Sequence, residues 1–276
     1  HVLVEGVPGI AKTLAAKLMA QTLDADFSRI QFTPDLMPSD VVGTTVFNLQ
    51  SSAFSFNPGP VFANIVLIDE INRAPAKTQA ALFEVMEEFQ VTVDGTTHPM
   101  GYPFFVMATQ NPVEQEGTYK LPEAQLDRFL LKINITYPSL EEEQQILHRF
   151  RNDFKRQQAQ VNKVLTAQDI KACRELVEQV YIREELLNYI AAIVHETRNN
   201  SDLFLGASPR ASLAILSTSK AMAAMQGRDF VTPDDIQYVA YPVLNHRIIL
   251  TPEREMEGFS TRDIIEEIIK KIPVPR

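Results

Sequence analysis

Eight residues near the start of the chain, Gly6-Val7-Pro8-Gly9-Ile10-Ala11-Lys12-Thr13, lie between an apolar run, Val2-Leu3-Val4, and a helix-like run from Thr13 to Leu23. A strand that feeds a glycine-bearing loop ending in Lys-Thr, and then a helix, is how proteins hold a nucleotide triphosphate. N–H groups at the helix start face the phosphates, where the helix dipole favours negative charge. Gly6, Val7, Gly9, Ile10 and Ala11 would supply the cradle, Lys12 would reach the β- and γ-phosphates, and the Thr13 hydroxyl would complete the shell of a Mg²⁺ ion. Pro8 has no N–H, so its neighbours must carry the cradle. Ala11 stands where glycine usually precedes the lysine; alanine serves there if its φ is negative, because only positive φ strongly demands glycine.

A second run, Asn64-Ile65-Val66-Leu67-Ile68-Asp69-Glu70, closes four apolar residues with two carboxylates. Absence of alternation reads as a strand buried on both faces, the habit of parallel sheets. Ligand chemistry in such sheets gathers at the carboxyl ends of strands, where Asp69 and Glu70 fall. Asp69 suits a hard, oxygen-preferring Mg²⁺ held through a water. Glu70 points elsewhere and could take a proton from an attacking water. An acidic strand-end turn is the competing explanation, weakened by the phosphate loop in the same chain.

Around these motifs, residues 1–137 alternate strand-like and helix-like segments: strands at Val2–Val4, Phe27–Phe32, Ile65–Ile68, Phe104–Ala108 and Phe129–Ile135, and a helix over Pro75–Glu88 with Ala76, Ala80, Phe83, Val85 and Met86 as its apolar stripe. That alternation predicts a doubly wound parallel sheet. From Ser139 the pattern is helical only. Residues 138–165 read as a connecting helix, opened by a Ser139/Glu142 capping box and running to about Gln158, with a polar linker at Gln157–Lys163. Residues 166–276 read as a helical domain, with Thr166/Asp169 and Thr232/Asp235 opening helices and further helices at Leu186–Thr197 and Pro209–Met225. His1 is not a native start, so a lead-in segment, including part of any adenine pocket, is expected before it. Cys173 is the single cysteine and excludes an internal disulfide framework. The scattered histidines form no metal-ligand spacing. A net charge of −9 argues against a general nucleic-acid binder, and no apolar run is long enough to span a bilayer.

Three further positions fit nucleotide chemistry. Asn111 ends the fourth core strand, where an amide could orient a water and touch the γ-phosphate; a turn-forming Asn-Pro pair is the alternative. Arg128, just before a buried strand, could project onto a neighbouring subunit's nucleotide, where such a residue accelerates transfer by roughly 10³–10⁵, or could make a surface ion pair. Ser208 as N-cap and Pro209 at the first helical position put Arg210 in the first helical turn, where the dipole disfavours a cation unless an anion lies nearby. Arg73 could also reach a subunit boundary.

The ensemble resembles the MoxR branch of the AAA+ ATPases over nearly the whole chain. Gly6–Thr13, Ile68–Pro75, Ala108–Tyr119, Leu121–Phe129 and Gly206–Ala211 carry the resemblance, and the runs Gln110–Tyr119 and Leu121–Phe129 are its most specific parts. The resemblance implies an α/β AAA+ P-loop NTPase core with a five-stranded parallel sheet, followed by an all-α lid. It implies Lys12 and Thr13 as Walker A, Asp69 and Glu70 as Walker B, Asn111 as sensor 1, Arg128 as arginine finger and Arg210 as sensor 2, with ATP and Mg²⁺ as ligands. It also implies a cytoplasmic homo-hexameric ring with ATP between subunits, acting like a chaperone on proteins with von Willebrand factor A domains.

Two insertions, Thr44–Gly59 and a hairpin over Gln90–Tyr102 turning at Asp94-Gly95, usually face the centre of such a ring. Neither contains lysine or arginine; they offer Phe47, Phe54, Phe56 and Tyr102 instead. A ring that moves DNA needs cations at its centre, so a polypeptide client fits better, unless the phenylalanines merely pack locally. A nucleic-acid motor and an ATP-gated scaffold with little hydrolysis are the alternatives.

Overall fold

The computed structural model describes residues 1–7, 9, 11–49, 52–111, 118–151 and 161–275. They form two compact units, His1–Lys120 with Ile133–Ala167, and Leu121–Lys132 with Gln168–Arg276. In chain order the first elements are β1 (Val2–Gly6), α1 (Lys12–Thr22), β2 (Phe27–Gln31), α2 (Pro38–Val42), β3 (Gly43–Asn48), β4 (Ala53–Pro58), β5 (Ile65–Asp69), α3 (Ala76–Glu88), β6 (Gln90–Val93), β7 (Thr96–Pro99) and β8 (Phe105–Gln110). Next come α4 (Glu123–Leu126), β9 (Leu131–Ile135) and α5 (Leu140–Phe150).

Five strands share one sheet in the order β2-β5-β8-β1-β9, matching the five core strands expected from sequence. β2 on β5, β5 on β8 and β8 on β1 are parallel. Every residue of β5 is buried, which is why Ile65–Ile68 can be apolar without alternation. The register pairs Gln31 with Asp69 and Glu5 with Gln110, so the carboxyl ends of β1, β2, β5 and β8 gather at one edge. That edge carries the candidate site.

Helix α3 is present, but its buried face differs from the expected stripe. Ala76 and Ala80 are exposed, whereas Thr78, Gln79, Leu82, Phe83, Val85 and Met86 are buried. The two polar residues go inside because they find backbone acceptors: the Gln79 amide donates to the Ile71 and Ala74 carbonyls, and Thr78 Oγ1 to Leu36. The Gln79 NH₂ group is satisfied in this way, although its buried Oε1 has no partner among the described residues, and alanine at the solvent face is a good helix former at little loss.

The Ser139/Glu142 capping box opens α5 as expected, with Ser139 N donating to the Glu142 carboxylate at 2.8 Å. Residues 152–160, which include the expected end near Gln158 and most of the expected linker, lie outside the described residues. Beyond them Lys163 pairs with Asp24, and Val164 N donates to the Thr22 carbonyl at 2.9 Å, tying this segment to the end of α1.

Both insertions are hairpins. β3 and β4 pair antiparallel, as do β6 and β7, and the second turns at Asp94-Gly95 with both residues left-handed, the geometry of a type I′ turn. Phe56 packs locally, its ring stacked on His98 at 4.1 Å and edge-on to Phe62 at 5.6 Å. Phe47 and Phe54 contact one another across the strands at 5.0 Å, yet Phe54 remains 74% and the adjacent Leu49 84% exposed.

The second unit continues with α6 (Ala167–Gln179), α7 (Glu184–Asn199), β10 (Leu203–Leu205), α8 (Pro209–Met225), α9 (Pro233–Leu244), β11 (Ile249–Leu250), α10 (Pro252–Met256) and α11 (Thr261–Lys271). It is not purely helical, since β10 and β11 pair antiparallel. Its core includes Ile193, Ile215, Ile236, Val243 and Ile264. The Thr232/Asp235 box caps α9 as expected.

His246 lies in this unit as a buried, neutral residue. Its Nε2 must carry the proton donated to the Phe129 carbonyl at 3.0 Å, which leaves a buried Nδ1 without a partner among the described residues. Burial first, and the Arg247 cation second, push its pKa down to about 3 from 6.5. A base with a depressed folded-state pKa contributes stability that is complete above about pH 6.5 and is lost as pH falls towards about 3. Relative to His246→Gln, the parent should lose on the order of 3 kcal/mol between about pH 7 and about pH 4. Urea unfolding of both proteins across that range checks this; parallel curves would refute it.

Candidate active site

β1 ends at Gly6 and α1 begins at Lys12, so the loop spans the carboxyl edge of the sheet. Lys12 Nζ donates to the Gly6 carbonyl at 2.8 Å, closing the loop across its base. Gly9 has φ 85 and Ala11 φ 58. The condition of negative φ at Ala11 is not met: with ψ 24 it lies in the left-handed region as the N-cap of α1. The methyl group costs roughly 1–2 kcal/mol there. Left-handed residues in tight loops let successive N–H groups converge on one concavity, the geometry that binds anions. A Cβ built on Gly9 would meet nothing within 4 Å, so that face of the residue is open. Pro8 and Ile10 lie outside the described residues. Val7 is half-buried beside the loop, and Thr13 is half-buried in the first turn of α1.

Burial lowers the pKa of the Lys12 ammonium below its ordinary value, while the charges of Asp69 and Glu70 act in the opposite direction. The loop lysine and both acids thus share one electrostatic neighbourhood. Asp69, the last residue of β5, is buried and accepts twice: Oδ2 from Arg29 Nε at 2.6 Å and Oδ1 from Thr109 Oγ1 at 3.2 Å. A carboxylate so engaged suits a divalent ion that keeps its waters, as Mg²⁺ does. Open space at the loop, an ammonium and a hydrogen-bonded acid pair together fit a magnesium-bound triphosphate.

Glu70 leaves the strand with φ 57 and ψ 52 and opens a 3-10 turn over Ile71–Arg73. A non-glycine residue held left-handed costs of order 1–3 kcal/mol and persists where its surroundings enforce it. Here Glu70 N donates to Thr109 Oγ1 at 3.0 Å, so a single hydroxyl fixes both acids. The Glu70 carboxylate receives the Gln31 amide at 2.8 Å and lies 3.2 Å from the Arg73 guanidinium, both through Oε2. Arg73, considered for a subunit boundary, is thus paired within its own chain. Asn111 is buried immediately after β8, two positions beyond Thr109.

Arg128 and Arg210 belong to the second unit. Arg128 is half-buried in the turn after α4, its N–H donating to the Gln125 carbonyl at 3.2 Å and followed by fully buried Phe129. Arg210 occupies the first turn of α8, with Ser208 as N-cap accepting from its N–H at 3.1 Å.

Sequence reasoning missed Arg29, Gln31 and Thr109, which hold the acids in place. The signal was the alternation of Phe27–Phe32, which puts Arg29 and Gln31 on one face of β2. Only strand order and register bring that face to Asp69.

Residues 1–131 match the model of the "ATPase family associated with various cellular activities (AAA)", and residues 195–268 match the AAA lid domain. The chain is 47% identical over 275 residues to the uncharacterized protein YeaC of Bacillus subtilis (strain 168), spanning 100% of this chain and 85% of that one. It is 44% identical over 285 residues to chaperone MoxR1 of Mycobacterium tuberculosis (strain ATCC 25618 / H37Rv), spanning 100% of this chain and 74% of that one. A crystal structure of an ATPase candidate from Cytophaga hutchinsonii superposes with a TM-score of 0.90 at 49% identity, covering 100% of this chain and 86% of that one. With a glycine-bearing loop and an acid pair at one sheet edge, a match to the AAA lid domain and relatives of this closeness, the chain belongs to the MoxR family of AAA+ ATPases.

Proposed function

We propose that this protein hydrolyses ATP and uses the energy to remodel or mature partner proteins. The observation that carries the reading is the Lys12 ammonium, seated at the loop base under the combined influence of Asp69 and Glu70. Lys12 would neutralise charge on the β- and γ-phosphates, with Gly6, Val7, Gly9, Ile10 and Ala11 supplying the loop backbone. Thr13 and Asp69 would hold Mg²⁺, which when bound supplies charge neutralisation. Glu70 would accept the proton of the attacking water. Gln31 and Arg73 both use its Oε2, which leaves Oε1 for that proton among the described residues. Asn111 would orient the water. Arg128 would act on the triphosphate of a neighbouring subunit and Arg210 on that of its own, in a homo-hexameric ring.

The relative named as a chaperone supports protein clients, and the family resemblance favours partners with von Willebrand factor A domains. Exposed Phe47, Leu49 and Phe54 on a hairpin without lysine or arginine suit a polypeptide better than a phosphate backbone. Phosphate release by the purified protein tests the reading: Mg²⁺-dependent turnover that double-stranded DNA leaves unchanged is expected. Strong stimulation by DNA would point to a nucleic-acid motor, and no turnover at all to an ATP-gated scaffold.

A further inference from the structure

Asp127 stands next to Arg128 in sequence and reaches the start of the helix that carries Arg210. Its Oδ2 accepts from Ser208 Oγ at 2.8 Å and its Oδ1 from Arg247 Nε at 2.7 Å. Arg247 is 3% exposed at its side chain. Its guanidinium also donates to the carbonyls of Asp127 at 3.1 Å, Phe129 at 2.6 Å, Leu130 at 3.2 Å and Val243. One buried cation therefore grips the backbone on both sides of Arg128. Burial lowers the Arg247 pKa while Asp127 opposes that effect, and Arg210 is close enough to lower it further.

The other side of the link is equally fixed. Ala207 N donates to Thr197 Oγ1 at 3.0 Å, and Arg198 Nε donates to the Ala207 carbonyl at 2.8 Å. A Cβ on Gly206 would collide with the backbone of Thr197 and Arg198, so only glycine lets this loop lie against α7. Ser208, as N-cap, passes that fixed position to Arg210.

We propose that Asp127 is a positioning residue that locks Arg128 and Arg210 into one body through Ser208 and Arg247. The proposal rests on the reading of both arginines as phosphate-contacting groups. If Arg128 serves the neighbouring subunit's nucleotide and Arg210 its own, Asp127 is the joint through which consecutive sites of a ring influence one another. Coupling then follows from a physical element that both sites bias, rather than from distance alone.

Ser208→Gly tests this, because glycine is nearly as good an N-cap as serine but lacks the hydroxyl. The expected result has three parts. Amide exchange in the free protein rises by about tenfold in both the Arg128 turn and the first turn of α8. The kcat falls by about tenfold to a hundredfold, the scale of a small misplacement of a catalytic group. The Hill coefficient for ATP falls to one, and Ser208→Thr, which keeps the hydroxyl, restores all three. Should the glycine variant not fold, Asp127→Asn, which leaves the Ser208 N-cap in place and turns one accepting oxygen of the joint into a donor, is expected to give the same three changes. Arg128→Ala and Arg210→Ala are the controls. Parent-like exchange and turnover in Ser208→Gly, with both arginine variants impaired, overturns the coupling alone. Full turnover in both arginine variants overturns their assignment and the coupling with it.

Discussion

Replacing Lys12 with alanine is expected to weaken ATP binding by roughly a hundredfold or more, since an ammonium on charged oxygens contributes about 1.5–3 kcal/mol per contact. Several features make the loss large. The amine sits at the loop base, donating to the Gly6 carbonyl at 2.8 Å. It is partly desolvated. The substitution is not expected to unfold the protein: Lys12 is half-buried at the first position of α1, where alanine is the best helix former. An equilibrium titration with a fluorescent ATP analogue, beside a melting curve, separates the effects. Unchanged affinity in a folded variant would remove Lys12 from the phosphate site.

Glu70→Gln should leave binding close to that of the parent and lower kcat by about 10²–10⁴, the usual contribution of a positioned base. Glutamine keeps an oxygen to accept the Gln31 amide, so the side chain stays where it is. The pairing with Arg73 is lost, but Arg73 is 39% and Glu70 31% exposed, and partly exposed pairs contribute little. The left-handed backbone at Glu70 is held by the N–H donated to Thr109 Oγ1, which the substitution leaves alone. A stable protein that binds ATP and barely turns it over is therefore the expected product. Phosphate release at the parent's rate would mean that another group takes the proton.

These two residues were also the most legible in the sequence, for a physical reason. A strand that must end in a loop without side-chain clashes, and a second strand buried on both faces that ends in two carboxylates, are local patterns that chemistry constrains tightly. The five strands of the core sheet followed from the same periodicity. What stayed hidden depended on long-range geometry. Arg29 and Gln31 meet Asp69 and Glu70 only through the pairing of β2 with β5. Gln79 and Thr78 are buried on α3 because particular carbonyls await them, which a count of apolar residues cannot register. Alanine at position 11 suited only a negative φ, yet the turn into α1 imposes φ 58. Arg247 lies 120 residues from Asp127, and no spacing rule joins them.

The central claim is that one Mg²⁺-bound triphosphate is held by the Lys12 loop and worked on by the acids that end β5. Nucleotide binding to Glu70→Gln, with and without Lys12→Ala added, tests it most directly. Retention of Mg²⁺-ATP by the single variant and its loss from the double is the predicted outcome. A folded double variant that still holds the nucleotide as tightly would contradict the account.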